Sequence, residues 1–193
     1  MVETTLKRSV AVLRAQGFPG FMPGDIVTSS SLGNALAGPI RWAESSKDGE
    51  PAERSHSMIY TGAGNLLTQN WRIVEAPLTD YVGATISVLH NPLWSREDRA
   101  RFIAEARLHL GRMYDVPGIF GQLLTSLTGI QWFADHIQVA GLTYCSEFVC
   151  VEVRRHIDPG FMSGYESCQV DPDQQTKWCQ GAGWKCRTMV LVE

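Results

Sequence analysis

The stretch HSMIYTGAGNLLTQNWRIVEAP, residues 56–77, constrains the fold more than any other part of the chain. An apolar run leads into a glycine-rich turn, Gly62-Ala63-Gly64-Asn65, and apolar residues resume beyond it. The pattern predicts strand, turn and strand, with the second strand over roughly residues 70–76. Strands joined by so short a turn pair antiparallel, because a parallel pair needs a long crossover.

The surrounding sequence extends this pattern. FPGFMPG predicts a loop before a strand over 25–29, and GATISVLHNP predicts a further strand closed by Asn91 and Pro92. Upstream, Leu6, Val10 and Leu13 fall on one face of a helix that Gly17 can end. Downstream, Ser95 and Asp98 have the spacing of a capping box, with Asp in the Glu position. Phe102, Ile103, Ala106 and Leu110 form the buried stripe of the helix that follows, and Gly111 its C′ residue. The uncharged run 116–134 predicts a buried loop and helix, TYCSEFVCVEVRRH another helix, and the tail a turn and at least one last strand. Strands first, then helices, then a strand is an α+β pattern built on an antiparallel sheet. With no repeat or linker to divide it, the chain is expected to form one domain over 1–193, with 1–20 as a preceding helix and loop.

Size and charge bound the function. At 193 residues and 44% hydrophobic content, folding buries roughly 70% of the unfolded surface, enough to hold a site rigidly without staples. A formal net charge of -3 gives no general attraction to nucleic acid or anionic membranes. Arg14 follows Lys7 and Arg8 too soon to leave room for the apolar core of a secretory signal, and no segment reads as a membrane span. The expectation is a cytoplasmic protein or, alternatively, one carried in a virion. An odd count of five cysteines favours reduced thiols over a disulfide framework. Cys150, Cys168, Cys179 and Cys186 lack the short Cys-x-x-Cys pair of zinc and iron–sulfur sites. They are expected to be buried free thiols, with neither metal nor other cofactor.

The chemistry is expected at Cys145, in TYCSEFVC. If Thr143 caps the helix, Cys145 lies in its first turn, where backbone N–H groups and the helix dipole favour a thiolate. Among the five histidines, His109 and His156 read as solvated. His56 differs: it stands at the first position of its strand, after a long polar loop, so it can project from a strand end. Glu75 is a carboxylate in the otherwise apolar WRIVEAP, and burial there requires a partner. A histidine would be one if the turn paired the two strands. The bland alternatives are a buried small Cys145, a structural His56 and a Glu75 pointing to water.

The fragments GDI, IRW, SHSMIY, VEA, YD and YCSEF, in that order over roughly residues 24–192, resemble the YiiX/YebB-like hydrolases, circularly permuted relatives of the NlpC-type, papain-fold cysteine peptidases. The resemblance implies a permuted papain-like fold in which the histidine strand precedes the cysteine helix. It also implies Cys145 as nucleophile, His56 as base and Glu75 as the group orienting the imidazole. The implied activity is hydrolysis of peptide or isopeptide bonds in peptidoglycan through a thioester. Two other settings suit the same pattern. One is a component of a larger assembly such as a bacteriophage tail tip; the other is a lipid acyltransferase or acylhydrolase with an acyl groove lined by 117–134.

Overall fold

The computed structural model describes residues 20–30, 53–69, 71–113, 128–130, 132–136, 144–165 and 170–192, with a few single positions between them. Its strands are β1 (Ile26–Ser29), β2 (His56–Gly62), β3 (Asn65–Gln69), β4 (Ile73–Pro77), β5 (Thr85–His90) and β6 (Lys185–Val190). Its helices are α1 (Arg96–Arg107), the short α2 (Trp132–His136), α3 (Cys145–His156) and α4 (Pro172–Gly181). The six strands form one antiparallel sheet in the order β4-β3-β2-β1-β5-β6. The α+β class expected from the sequence is therefore present. Among the described residues, no helix is long and apolar enough to cross a membrane.

The 56–77 stretch holds three strands where the sequence pattern predicts two. β2 and β3 close around Ala63 and Gly64, whose φ angles of 51° and 80° have the sign pattern of a type I′ hairpin turn. Gly64 adopts this conformation without steric cost; Ala63 does so against its own preference. The chain then turns again before β4, so β4 pairs with β3 and not with β2. The apolar run hides this second turn, which places Glu75 one strand further from β2.

Cross-strand partners share a face of the sheet, and the two faces carry separate cores. Ile26, Ile59, Leu67 and Leu89 lie on one face beneath Phe102, Phe148, Val149, Val153 and Phe161 from the helical side. Fully burying one such side chain contributes about 1.5–3 kcal/mol. Val27, Met58, Tyr60, Leu66, Ile86 and Val88 lie on the other face, with Leu78, Tyr81 and Leu191. The helices α1, α3 and α4 all pack on the first side: α3 against β2 and α1, α4 against β1, β5 and β6.

The capping box of α1 is present, with the Asp98 amide donating to Ser95 Oγ at 3.0 Å and Asp98 Oδ2 accepting from the Ser95 amide at 3.3 Å. Phe102, Ile103 and Ala106 are buried as expected, but Leu110 is exposed. The helix ends at Arg107, and the chain turns at 108–111, where the Gly111 amide donates to the Ile73 carbonyl. The tail holds more than the expected turn and strand, since 172–181 form α4. Its start is written in VDPDQQ: Asp171 caps, Pro172 opens the helix, and Gln174 completes a capping box.

The readings at Leu6, Leu13 and Gly17, at Ile40 and Trp42, and at Tyr114 and Asp115 lie outside the described residues, as does most of the 116–134 run. Within that run, Ile130 and Trp132 are exposed.

Candidate active site

Cys145 is the first residue of α3. The cap position belongs to Tyr144, one residue later than expected; its backbone is extended, and its carbonyl accepts the Phe148 amide at 2.8 Å. Thr143 lies outside the described residues. Cys145 is only 3% exposed and, with Tyr144, forms a small cluster apart from both cores.

A chain of buried hydrogen bonds fixes the start of this helix against the sheet. Ser57 Oγ donates to Gln175 Oε1 at 2.6 Å, Gln175 Nε2 donates to the Ser146 carbonyl at 2.8 Å, and Ser146 Oγ donates to the Val170 carbonyl at 2.6 Å. Gln175 thus joins the residue after His56 to the residue after Cys145. The structure brings the two elements that bear these residues together at the beginning of β2.

His56 alternates with Met58 and Tyr60 along β2 and faces Ser29 of β1, which places it on the sheet face away from α3. Its Nε2 lies 2.6 Å from Thr68 Oγ1, and Thr68 Oγ1 lies 2.9 Å from the Tyr81 hydroxyl. The imidazole also stacks on the Tyr81 ring, with 6.3 Å between centroids and 11° between planes. Burial drives the His56 pKa down to about 4, because charging an imidazole away from water is costly. Burial pushes the Tyr81 phenol up to about 12; the Thr68 hydrogen bond opposes this, and neighbouring Cys145 and Asp80 add to it. Tyr81 thus stands against His56 through the stacked ring and through Thr68, and both its phenol and the imidazole are neutral at pH 7. A resting imidazolium–thiolate pair does not fit these charges.

Glu75 is not brought to His56. Because β3 intervenes, Glu75 faces Leu67, which in turn faces Ile59 on the helical side of the sheet. Its carboxylate accepts from Arg107 Nη2 at 2.7 Å and from Thr61 Oγ1, at the opposite end of β2 from His56. Arg107 holds its pKa below the usual carboxylate range, against a smaller opposing effect of burial. The expected orienting contact therefore has no geometric basis here, and the contact to the imidazole is made by Thr68.

Two other expectations change. His109 and His156 are not simply solvated: their Nε2 atoms lie 3.2 and 3.4 Å from the carboxylate of Glu152, which is buried inside α3. Glu152 is thereby turned away from any direct role at Cys145. His90, which the sequence reads as the end of a strand, lies against buried Asp25 at 2.8 Å, and Arg99 donates to the same carboxylate oxygen at 2.8 Å. Cys150 and Cys179 are buried free thiols and Cys186 is half-buried; Cys168 lies outside the described residues. Burial pushes the Cys150 and Cys186 thiols up to about 11. Among the described residues, no group of three or more His, Cys, Asp or Glu could hold a metal ion.

Sequence reasoning missed Thr68, Tyr81 and Gln175. Thr68 leaves a faint signal as a polar residue at an inward position of LLTQ; Tyr81 and Gln175 leave none. The sequence matches no protein-family model and no curated protein.

Proposed function

We propose that the chain is a cysteine-dependent amide hydrolase with the circularly permuted papain-like arrangement that its motifs resemble. Its proposed substrates are peptide or isopeptide bonds of peptidoglycan. The observation that supports this reading is the Gln175 bridge, which joins the start of the cysteine helix to the start of the histidine strand.

The hydrogen bonds divide the labour. With Nε2 engaged by Thr68, Nδ1 is the ring nitrogen left to take a proton. That tautomer has Nε2–H donating to Thr68 Oγ1 and the Thr68 hydroxyl donating to the Tyr81 oxygen. Thr68 therefore orients the base, the role assigned on resemblance to Glu75. In the proposed step, opening of the cover brings the imidazole from its face of the sheet to the thiol at the strand end; Nδ1 then takes the Cys145 proton as the sulfur attacks the carbonyl carbon, and amide N–H groups at the start of α3 stabilise the oxyanion. The imidazolium returns its proton to the departing amine, and water then hydrolyses the thioester to release the acid and free thiol.

Both reacting groups are almost closed to solvent, so a substrate reaches them only through an opening of their cover. The test is release of new amino groups from peptidoglycan-derived peptides. Cys145→Ala and His56→Ala should each lower the rate by at least about a thousandfold, in the range of single losses from a nucleophile–base pair. With the natural chain active, an unchanged rate in Cys145→Ala would sink the proposal. In the natural chain, kcat/KM should hold down to about pH 5, since a free-enzyme base with a pKa near 4 loses function only below that.

A further inference from the structure

Arg96, Ala100, Ile103 and Arg107 follow one another at intervals of three and four, so they line one face of α1. That face lines an open trough of about 550 Å³, which Met22, Pro23, Thr61, Trp94 and Arg99 also line. The size falls within the roughly 300–1,000 Å³ of small-molecule sites. It is a separate place from Cys145 and His56. Thr61 is five residues along β2 from His56, and at about 3.3 Å per residue that is ~16 Å.

The charges in this cavity are unbalanced. None of its lining residues is acidic, and three are arginines. Arg99 is spent on Asp25 and on the Pro23 and Asn91 carbonyls. Arg107 is neutralised by Glu75. Arg96 is exposed and has no ion pair or hydrogen bond to another described residue. One unspent guanidinium thus stands at the end of a trough whose middle is Ala100, Ile103, Met22, Pro23 and Trp94. The Trp94 indole is held by edge contacts to Phe102 and Trp184 and by the Arg99 guanidinium, 5.6 Å from its ring centre.

We propose that this cavity binds a small amphiphile with a single carboxylate on an alkyl or acyl chain. The carboxylate pairs with Arg96, which offers two parallel N–H donors, and the chain lies over Ala100 and Ile103 against Met22 and Trp94. One unneutralised cation calls for one anionic head, and the apolar trough calls for a tail rather than a second polar group.

Calorimetric titration of the intact protein with decanoate tests this, with acetate as the head alone and decyltrimethylammonium as the same tail under the opposite charge. Decanoate should bind at one saturable site, and the two controls should not bind. Arg96→Gln should weaken decanoate binding at least tenfold, and Ala100→Phe, which fills the trough from an exposed helical position, should abolish it. If Ala100→Phe fails to fold, Arg96→Gln, a surface change, decides alone. Cys145→Ala should bind decanoate as tightly as the natural chain does, so this site stands or falls separately from the hydrolase. Absence of saturable decanoate binding, unchanged affinity in Arg96→Gln, or equal binding of decyltrimethylammonium would overturn the proposal.

Discussion

His56 is an imidazole kept neutral by burial, and that makes the stability of the whole chain depend on pH in a way that can be worked out beforehand. Its pKa is about 4 in the folded protein and about 6.5 in an unfolded chain. The unfolded state therefore binds the extra proton first as pH falls. Above 6.5 neither state is protonated and His56 costs nothing. Between 6.5 and 4 the unfolded state gains, and stability drops. At 1.36 kcal/mol per pH unit, and with the folded state half protonated at its own pKa, the loss is ~3 kcal/mol by pH 4. The residue is only 5% exposed, so solvent screening takes little from this figure. The perturbation is His56→Gln, which keeps an amide N–H within reach of Thr68 and cannot titrate. Urea unfolding midpoints, measured for both chains at half-unit steps from pH 7.5 to 4, give the comparison. The natural chain should lose ~3 kcal/mol more than the variant, with the curves separating near pH 6.5. Parallel curves would mean that His56 is hydrated or paired with an anion, and the neutral-base mechanism would go with them.

The remaining predictions concern who supports whom. Thr68→Val should lower kcat by about 10–100-fold through loss of imidazole orientation, a range typical of outer-shell hydrogen-bonding partners. Glu75→Gln should change kcat/KM by less than about threefold, as expected for a group away from the reacting atoms; the reverse ranking in a peptide-hydrolysis assay would restore the carboxylate to the site. Gln175→Leu should cost about 1–3 kcal/mol for the Ser57 hydroxyl left without its partner, the Ser146 carbonyl keeping its helical bond, read as a drop in the urea midpoint. Asp25→Asn strands the Arg99 guanidinium beside His90 and should cost about 3–5 kcal/mol in the same measurement.

The strands and helices that the sequence revealed are those whose signals are local. β1, β5, α1 and α3 announce themselves through alternation, capping residues and apolar spacing, each within a dozen positions. α4 was equally legible in Asp171, Pro172 and Gln174, but the glycines and cysteines around it drew the reading toward a turn. The second turn before β4 is another matter: nothing in LLTQNWRIVEA separates one long strand from two short ones. Which strand neighbours which then depended on that turn, and the error moved Glu75 by one strand and onto the wrong partner. The places of Cys145 and His56 in the fold are legible because a helix start and a strand start are local features too. Thr68, Tyr81 and Gln175 are not, because each matters only for what the folded sheet places beside it. The buried position of Glu152 was hidden for the same reason, since His109 comes from a different element.

The bridge through Gln175 also sets a timetable. It ties Ser57 to a residue 118 positions later, and at a synthesis rate of about 5–20 residues per second that interval lasts ~6–24 s on a ribosome. During it, the strands β1 to β5 can pair and the cysteine helix can pack on β2 and α1, but the Gln175 hydrogen bonds at its start are still missing. The start of the cysteine helix is therefore pinned to the start of β2 only after residue 175 is made. Until then the two elements have only their apolar contacts to set their register.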